Sequence, residues 1–230
     1  MMRLDRFLAE SGLGTRSEVK KMISRGLITV DGMTVKDAAI KVDENTACVC
    51  ADSIPVKYTA YEYYLLNKPR GVISASKKDL RDPSTPCVVD LISSRRRDDL
   101  FPVGRLDKDT EGLLLITNDG KLAHALLSPA KHVNKTYYVM LDGVLTQEAA
   151  RRIEAGVDIG DDKPTLPCRI EGNGTSCRIT IHEGRFHQVK RMFESQGLTV
   201  VYLKRLSMGK LSLGDLKTGE YREISREDIQ

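Results

Sequence analysis

Apolar positions in the first fifty residues recur first at helical and then at strand spacing. Leu4, Phe7 and Leu8 share one side of a short helix, which Ser11 to Gly14 ends. Thr15 and Glu18 have capping-box spacing, Val19, Met22 and Ile23 form the apolar stripe of a second helix, and Gly26 suits its stop. Leu27 to Val30 and Met33 to Val35 then flank Asp31-Gly32, the signature of a two-residue hairpin turn. The predicted order is helix, helix, hairpin. Periodicity fades over 52–60, which reads as a linker between a module at 1–57 and a larger domain at 61–230.

In the larger domain short apolar runs end on turn signals. Tyr63 to Leu66 precedes Asn-Lys-Pro, Leu113 to Thr117 precedes Asn-Asp-Gly, and Tyr137 to Leu141 precedes Asp-Gly. Cys177 to His182 and Thr199 to Leu203 add two further strand patterns, while 121–127, 146–155 and 187–196 have helical periodicity. Strands outnumber helices, so the expected class is α+β, built on a mixed or antiparallel sheet.

Charge changes this picture only through its distribution. Net charge is +4 from 36 Lys plus Arg against 32 Asp plus Glu, so a polyanion must be held by local clusters. One cluster lies on the second helix, where Arg16 and Lys20, and Lys21 and Arg25, stand four apart and share a face; Arg3 and Arg6 extend it. The five cysteines form no CxxC pair and suit reduced, packed thiols. Without a signal-peptide pattern or a long apolar run, the expected compartment is the cytoplasm.

Three segments concentrate polar chemistry. Gly104 to Gly112, GRLDKDTEG, is a charged loop entering a buried apolar run, the kind of junction where a scaffold holds reactive groups. Its Asp107, Asp109 and Glu111 mimic the opening of a calcium loop, but the twelfth position is Asn118 rather than a bidentate Glu. In Lys135 to Met140 alternation puts Tyr137 and Tyr138 on opposite strand faces. In Glu183 to Phe193 a glycine loop leads into a helix with His187, Lys190 and Arg191 on one face and Val189, Met192 and Phe193 on the other. Residues 185–210 hold six cations, Arg185, Lys190, Arg191, Lys204, Arg205 and Lys210, against Glu194 alone, the strongest polyanion footprint in the chain.

Residues 3 to about 50, including GTRSEVKKMISRGLITVDGMTV, resemble the S4 RNA-binding domain. YLLNKPRGVISA at 64–75, GRLDKDTEGLLLITNDG at 104–120, KTYYV at 135–139 and GRFHQVKRM at 184–192 together resemble a pseudouridine synthase, and among these the S4-bearing, RsuA-type enzymes of small-subunit ribosomal RNA. The resemblance implies isomerisation of uridine to pseudouridine in 16S ribosomal RNA by a monomer needing no cofactor and no metal. Enzymes of large-subunit RNA share the architecture.

Within that resemblance Asp107 is the essential carboxylate, acting on a nucleotide flipped from its stack, since a stacked uridine offers neither C6 nor C1′. Lys190 would keep it ionised in a water-poor pocket, where burial alone would neutralise it. Tyr137 would stack on the base, and Arg105 would fill the gap it leaves or grip its phosphate. Arg185, Gln188 and Arg191 are implied RNA contacts, with Arg16, Lys20, Lys21 and Arg25 as the grip of the N-terminal module. Addition at C6, attack at C1′ and abstraction at C2′ stay open for Asp107.

Overall fold

The computed structural model describes residues 1–78, 80, 82–94, 96–128 and 131–229. The chain divides into two compact units, Met1–Glu62 with Ser93–Asp99, and Tyr63–Ile92 with the residues from Leu100 onward.

The first unit runs β1 (Met2–Arg3), α1 (Leu4–Glu10), α2 (Arg16–Ser24), β2 (Ile28–Val30), β3 (Met33–Thr34), β4 (Lys41–Val42), β5 (Val49–Ala51) and β6 (Ile54–Pro55). α2 starts where its caps dictate: Thr15 Oγ1 accepts from the Glu18 amide at 3.3 Å, and the Glu18 carboxylate accepts from the Thr15 amide at 2.7 Å. Asp31 and Gly32 are both left-handed, with φ of 50° and 81°, the twist that a tight hairpin needs. Leu4, Phe7, Leu8, Val19, Ile23 and Ile28 form the core, and Arg16, Lys20, Lys21 and Arg25 are exposed. Arg3 and Arg6 are tied to Asp5 and Glu10.

The expected linker is corrected here. Ile54–Pro55 pairs with β5 through a turn in which Asp52 and Ser53 adopt φ of 46° and 67°, a left-handed pair without glycine that a turn pattern does not reveal. Tyr58 stacks on Phe7 at 5.3 Å and donates to Glu10, so the segment after β6 belongs to the core. Ser93–Asp99, expected within the larger domain, joins this unit: Arg96 donates to the carbonyls of Thr59 and Ala60.

The second unit contains β7 (Tyr63–Lys68), β8 (Phe101–Pro102), β9 (Glu111–Thr117), α3 (Gly120–Leu127), β10 (Lys135–Leu145), α4 (Gln147–Ala155), β11 (Arg169–Glu171), β12 (Gly174–Ile181), α5 (Gln188–Glu194), β13 (Val200–Met208), β14 (Leu211–Ser212), β15 (Tyr221–Glu223) and α6 (Arg226–Ile229). Its sheet has the order β11-β12-β10-β13-β9-β7-β15, with β14 on β13 and β8 on β9. Among the described residues every pairing of this sheet is antiparallel except β13 with β9, so the sheet is mixed and the α+β expectation holds. β9 is buried on both faces: Leu113 and Leu115 enter one apolar layer, Leu114 and Ile116 the other. That is why its sequence reads as a continuous apolar run rather than an alternation. Each such leucine removed from water contributes about 1.5–3 kcal/mol, which fixes the strand carrying the GRLDKDTEG loop.

Candidate active site

The loop before β9 is held from within and from both sides. The Thr110 amide donates to the Asp107 carbonyl at 3.1 Å, closing a turn. Ser74 Oγ donates to the Leu106 carbonyl at 2.8 Å and accepts from the Leu106 amide at 3.0 Å, fixing the residue before Asp107. From β7, the wholly buried Lys68 donates to the carbonyls of Pro69 (3.0 Å), Lys108 (3.4 Å) and Thr110 (2.8 Å). Burial pushes the Lys68 pKa down to about 8, against the pull of Asp109, Asp107 and Glu111.

From α5, Lys190 reaches the side chains of the same loop. Its Nζ lies 3.1 Å from Asp107 Oδ2 and spans both oxygens of Asp109 at 2.7 and 2.9 Å. Burial opposes the charge of Lys190, but the two carboxylates outweigh it and raise its pKa; Lys190 in turn holds Asp109 below the usual carboxylate range against that residue's own burial. His187 Nε2 approaches Asp107 Oδ1 at 3.5 Å. It occupies the left-handed region, φ 48°, at the start of α5, a bend that brings its ring over the loop.

A cavity of about 150 Å³ opens beside Asp107, with Tyr137, Leu203, Arg205, Thr110 and Lys190 in its walls. A wider cleft of about 690 Å³ shares Arg105, Asp107 and His187 and adds Phe186. Tyr137 is buried on β10, while Tyr138 turns to the other face and meets Tyr202 edge-on. Arg105 is exposed at the rim. Asp107, Lys190, Tyr137 and Arg105, chosen from sequence, therefore border one space.

The expected polyanion footprint at 185–210 needs correction. Arg205 is 2% exposed, so its charge faces the interior. Arg185 is engaged with Glu183, Asp161 and the carbonyls of Lys163 and Pro164, and Arg191 with Asp161 and the carbonyls of Phe186 and Ile159. Gln188 is buried, its amide nitrogen donating to Glu183 and its oxygen accepting from the Arg185 amide. These three hold the glycine loop against its neighbours, because a short loop entering a helix leaves backbone groups that must find partners. Sequence reasoning passed over Lys68 and Thr110. A lysine closing a strand that is buried at every position was the available signal. Among the described residues, no three His, Cys, Asp or Glu side chains converge as a metal site would require.

A small basic helix-hairpin module joined in one chain to a mixed-sheet domain with a braced carboxylate suits an enzyme that acts on RNA. The model of the RNA pseudouridylate synthase family matches residues 62–195, and that of the S4 domain matches residues 2–47. The chain is 46% identical to the uncharacterised RNA pseudouridine synthase YtzG of Bacillus subtilis, covering 99% of this chain and 97% of that protein. It is 38% identical to the ribosomal small subunit pseudouridine synthase A of Pseudomonas aeruginosa, over 99% of each. A crystal structure of a pseudouridylate synthase superposes with a TM-score of 0.68 at 32% identity, covering 100% of this chain and 98% of that one. The chain belongs to the RNA pseudouridylate synthase family, in its S4-bearing form, and isomerises uridine in RNA to pseudouridine, as the resemblance in its motifs implied.

Proposed function

We propose that the enzyme modifies a uridine of 16S ribosomal RNA, with Asp107 as the carboxylate that acts on the flipped nucleotide. One observation carries the reading: Asp107 meets Lys190 at 3.1 Å on the wall of a cavity that also contains Tyr137. Lys190 sets a positive charge at contact distance from the carboxylate and orients it, and a charged oxygen is what every route through C6, C1′ or C2′ needs. Tyr137 offers a flat face to a base that has lost its stacking neighbours. Arg105, exposed at the rim, fills the gap left by the extruded base or grips its phosphate. Arg16, Lys20, Lys21 and Arg25 grip the RNA backbone. Relatives named for the small ribosomal subunit, aligned end to end with this chain, support 16S RNA as the partner. A cytoplasmic monomer acting during ribosome biogenesis completes the reading.

The test is carbodiimide-dependent primer extension on 16S and 23S RNA, as naked transcripts and as assembly intermediates. Wild type should mark one 16S position. Asp107→Asn should bind that RNA normally, with its rate reduced on the order of 10⁴-fold or more. A mark confined to 23S RNA would move the substrate to the large subunit, and full activity in Asp107→Asn would remove its assigned role. Tight binding with no mark on any RNA would make the chain an inactive assembly factor.

A further inference from the structure

Two buried polar atoms, on residues that line the cavity beside Asp107, have no hydrogen-bond partner among the described residues. Arg205 on β13 donates through Nε to the Leu113 carbonyl at 2.7 Å, while its Nη2 is buried without a hydrogen-bond partner. Thr110, 1% exposed at the end of the Asp107 loop, has a buried and equally unpartnered Oγ1. Both residues line the cavity. Leaving a buried guanidinium N–H unpaired carries its full desolvation cost, so the arrangement makes sense if something that enters the cavity completes it.

The backbone pins Arg205 in place. Gly112, φ +105°, pairs in parallel register with Arg205, and a Cβ on it would overlap the Arg205 carbonyl oxygen and lie 2.6 Å from the Arg205 amide nitrogen. Only glycine lets β9 and β13 meet there, placing the Arg205 side chain beside the loop. Among the described residues Arg205 has no carboxylate in salt-bridge range. Its charge is felt by Lys135, whose pKa is lowered first by burial and then by Arg205.

A guanidinium only donates, so its missing partner is an acceptor. A phosphate would crowd a second anion against Asp107 in a small space. A neutral carbonyl that gains negative charge only during reaction avoids that repulsion. We propose that Arg205 Nη2 donates to a carbonyl oxygen of the target uracil, that Thr110 Oγ1 bonds the same polar edge, and that Arg205 is thereby a catalytic residue. The inference rests on the reading that this cavity receives the flipped uridine.

Electrons reach the carbonyls by every route. When the N1–C1′ bond breaks, its pair stays on uracil and spreads to O2 and O4; when a carboxylate adds to C6, the displaced π pair moves to O4. The charge is withdrawn when C5 bonds to C1′, which releases the carboxylate from C1′ or C6 or is followed by return of the C2′ proton; the C5 proton then leaves to water and N1 takes one up, so uridine and pseudouridine balance as isomers. Arg205 is fixed before that charge forms, the condition under which a donor accelerates a reaction most. Where the bonded oxygen is O4, the same donor disfavours cytosine, whose amine replaces O4 and would oppose it donor to donor.

The test uses an RNA fragment carrying the uridine that wild type converts, with deuterium at C5, made also with 2-thiouridine or 4-thiouridine there. Single turnovers are followed by deuterium loss in mass spectrometry. Arg205→Met should bind RNA within about threefold of wild type, because phosphate contacts dominate affinity. It should turn over the oxygen substrate about 10²–10³-fold more slowly. Wild type should lose about tenfold or more on one thio substrate, and Arg205→Met should lose nothing further on it. Which substrate shows the coupling identifies O2 or O4. If both thio substrates slow wild type and Arg205→Met by equal factors, or slow neither, the assignment is overturned. Thr110→Val, which keeps side-chain shape, runs through the same cycle and decides the matter should Arg205→Met fail to fold. An active wild type with additive losses refutes Arg205 alone; a wild type that releases no deuterium from any ribosomal RNA refutes the functional reading, and this assignment with it.

Discussion

Replacing Lys68 by methionine separates what this buried cation does for the fold from what it does for the loop. Moving a lysine from 10.5 to about 8 corresponds to about 3 kcal/mol against its charged form, and Met removes that penalty. It also strips the carbonyls of Pro69 and Thr110 of donors at 3.0 and 2.8 Å, bonds to a charged group worth about 1.5–3 kcal/mol each. The two effects largely offset, leaving a net loss of about 0–3 kcal/mol, or no more than about 10 °C in Tm. Activity has no such offset. Thr110 and Lys108 lose the anchor that sets the path of the Asp107 loop, and a displacement of about 1 Å costs on the order of 100-fold in rate.

The same substitution tests the proton. Between about pH 8 and 10.5 the unfolded chain still holds the Lys68 proton that the folded chain has released, so raising pH across that window stabilises wild type. Below about pH 8 the burial penalty is present in full. Lys68→Met lacks the group, so the stability of wild type minus variant should rise from pH 7 to pH 10 in paired denaturant melts. A difference that stays flat would refute the buried ammonium, and a wild-type rate in Lys68→Met would refute the clamp.

Gly112→Ala places a side chain at φ +105° against the Arg205 backbone; strain and overlap together should cost about 3–5 kcal/mol by denaturant melt, and activity should fall even where the variant stays folded. Phe186 is 71% exposed and stacked on His187 at 3.8 Å, a platform at the cleft for a base beside the extruded one; Phe186→Ala should raise the RNA Kd by about fivefold or more in fluorescence titration with Tm unchanged. Joint replacement of Lys20, Lys21 and Arg25 by alanine should flatten the slope of log K against log salt by about 2 to 3, and an unchanged slope would put the RNA grip elsewhere.

What the sequence disclosed follows the range of the interactions involved. The capping box of α2 and the Asp31-Gly32 hairpin are decided within a few residues, so the pattern locates them. Asp107, Lys190 and Tyr137 came from four motifs in fixed order, and the structure brings them around one cavity. Long-range pairing was silent. Nothing local announces that β13 runs parallel to β9, and without that seam Arg205 looks like one more surface cation beside Lys204. Glycine 112 reads as a turn residue until the strand it must admit is known. For the same reason Arg185, Gln188 and Arg191 look like free RNA contacts, although their partners at Asp161, Lys163, Pro164 and Glu183 were in the chain all along.

These long-range contacts hold the charged loop that carries Asp107. Asp107 sits where two lysines approach one loop by different means: Lys68 takes its carbonyls and Lys190 takes its carboxylates. Neither could do the other's work. A carbonyl clamp alone would leave the Asp107 side chain without a partner that orients it, and a carboxylate clamp alone would let the loop follow the lysine. Together they fix the position of one oxygen, so on the proposed reading little of the binding energy of the flipped nucleotide is needed to organise the site. Asp109 adds a constraint, since it holds Lys190 more closely than Asp107 does, at 2.7 against 3.1 Å. If Asp107 acts on the nucleotide as proposed, Lys190 can stay in place on Asp109 while the carboxylate turns toward the substrate.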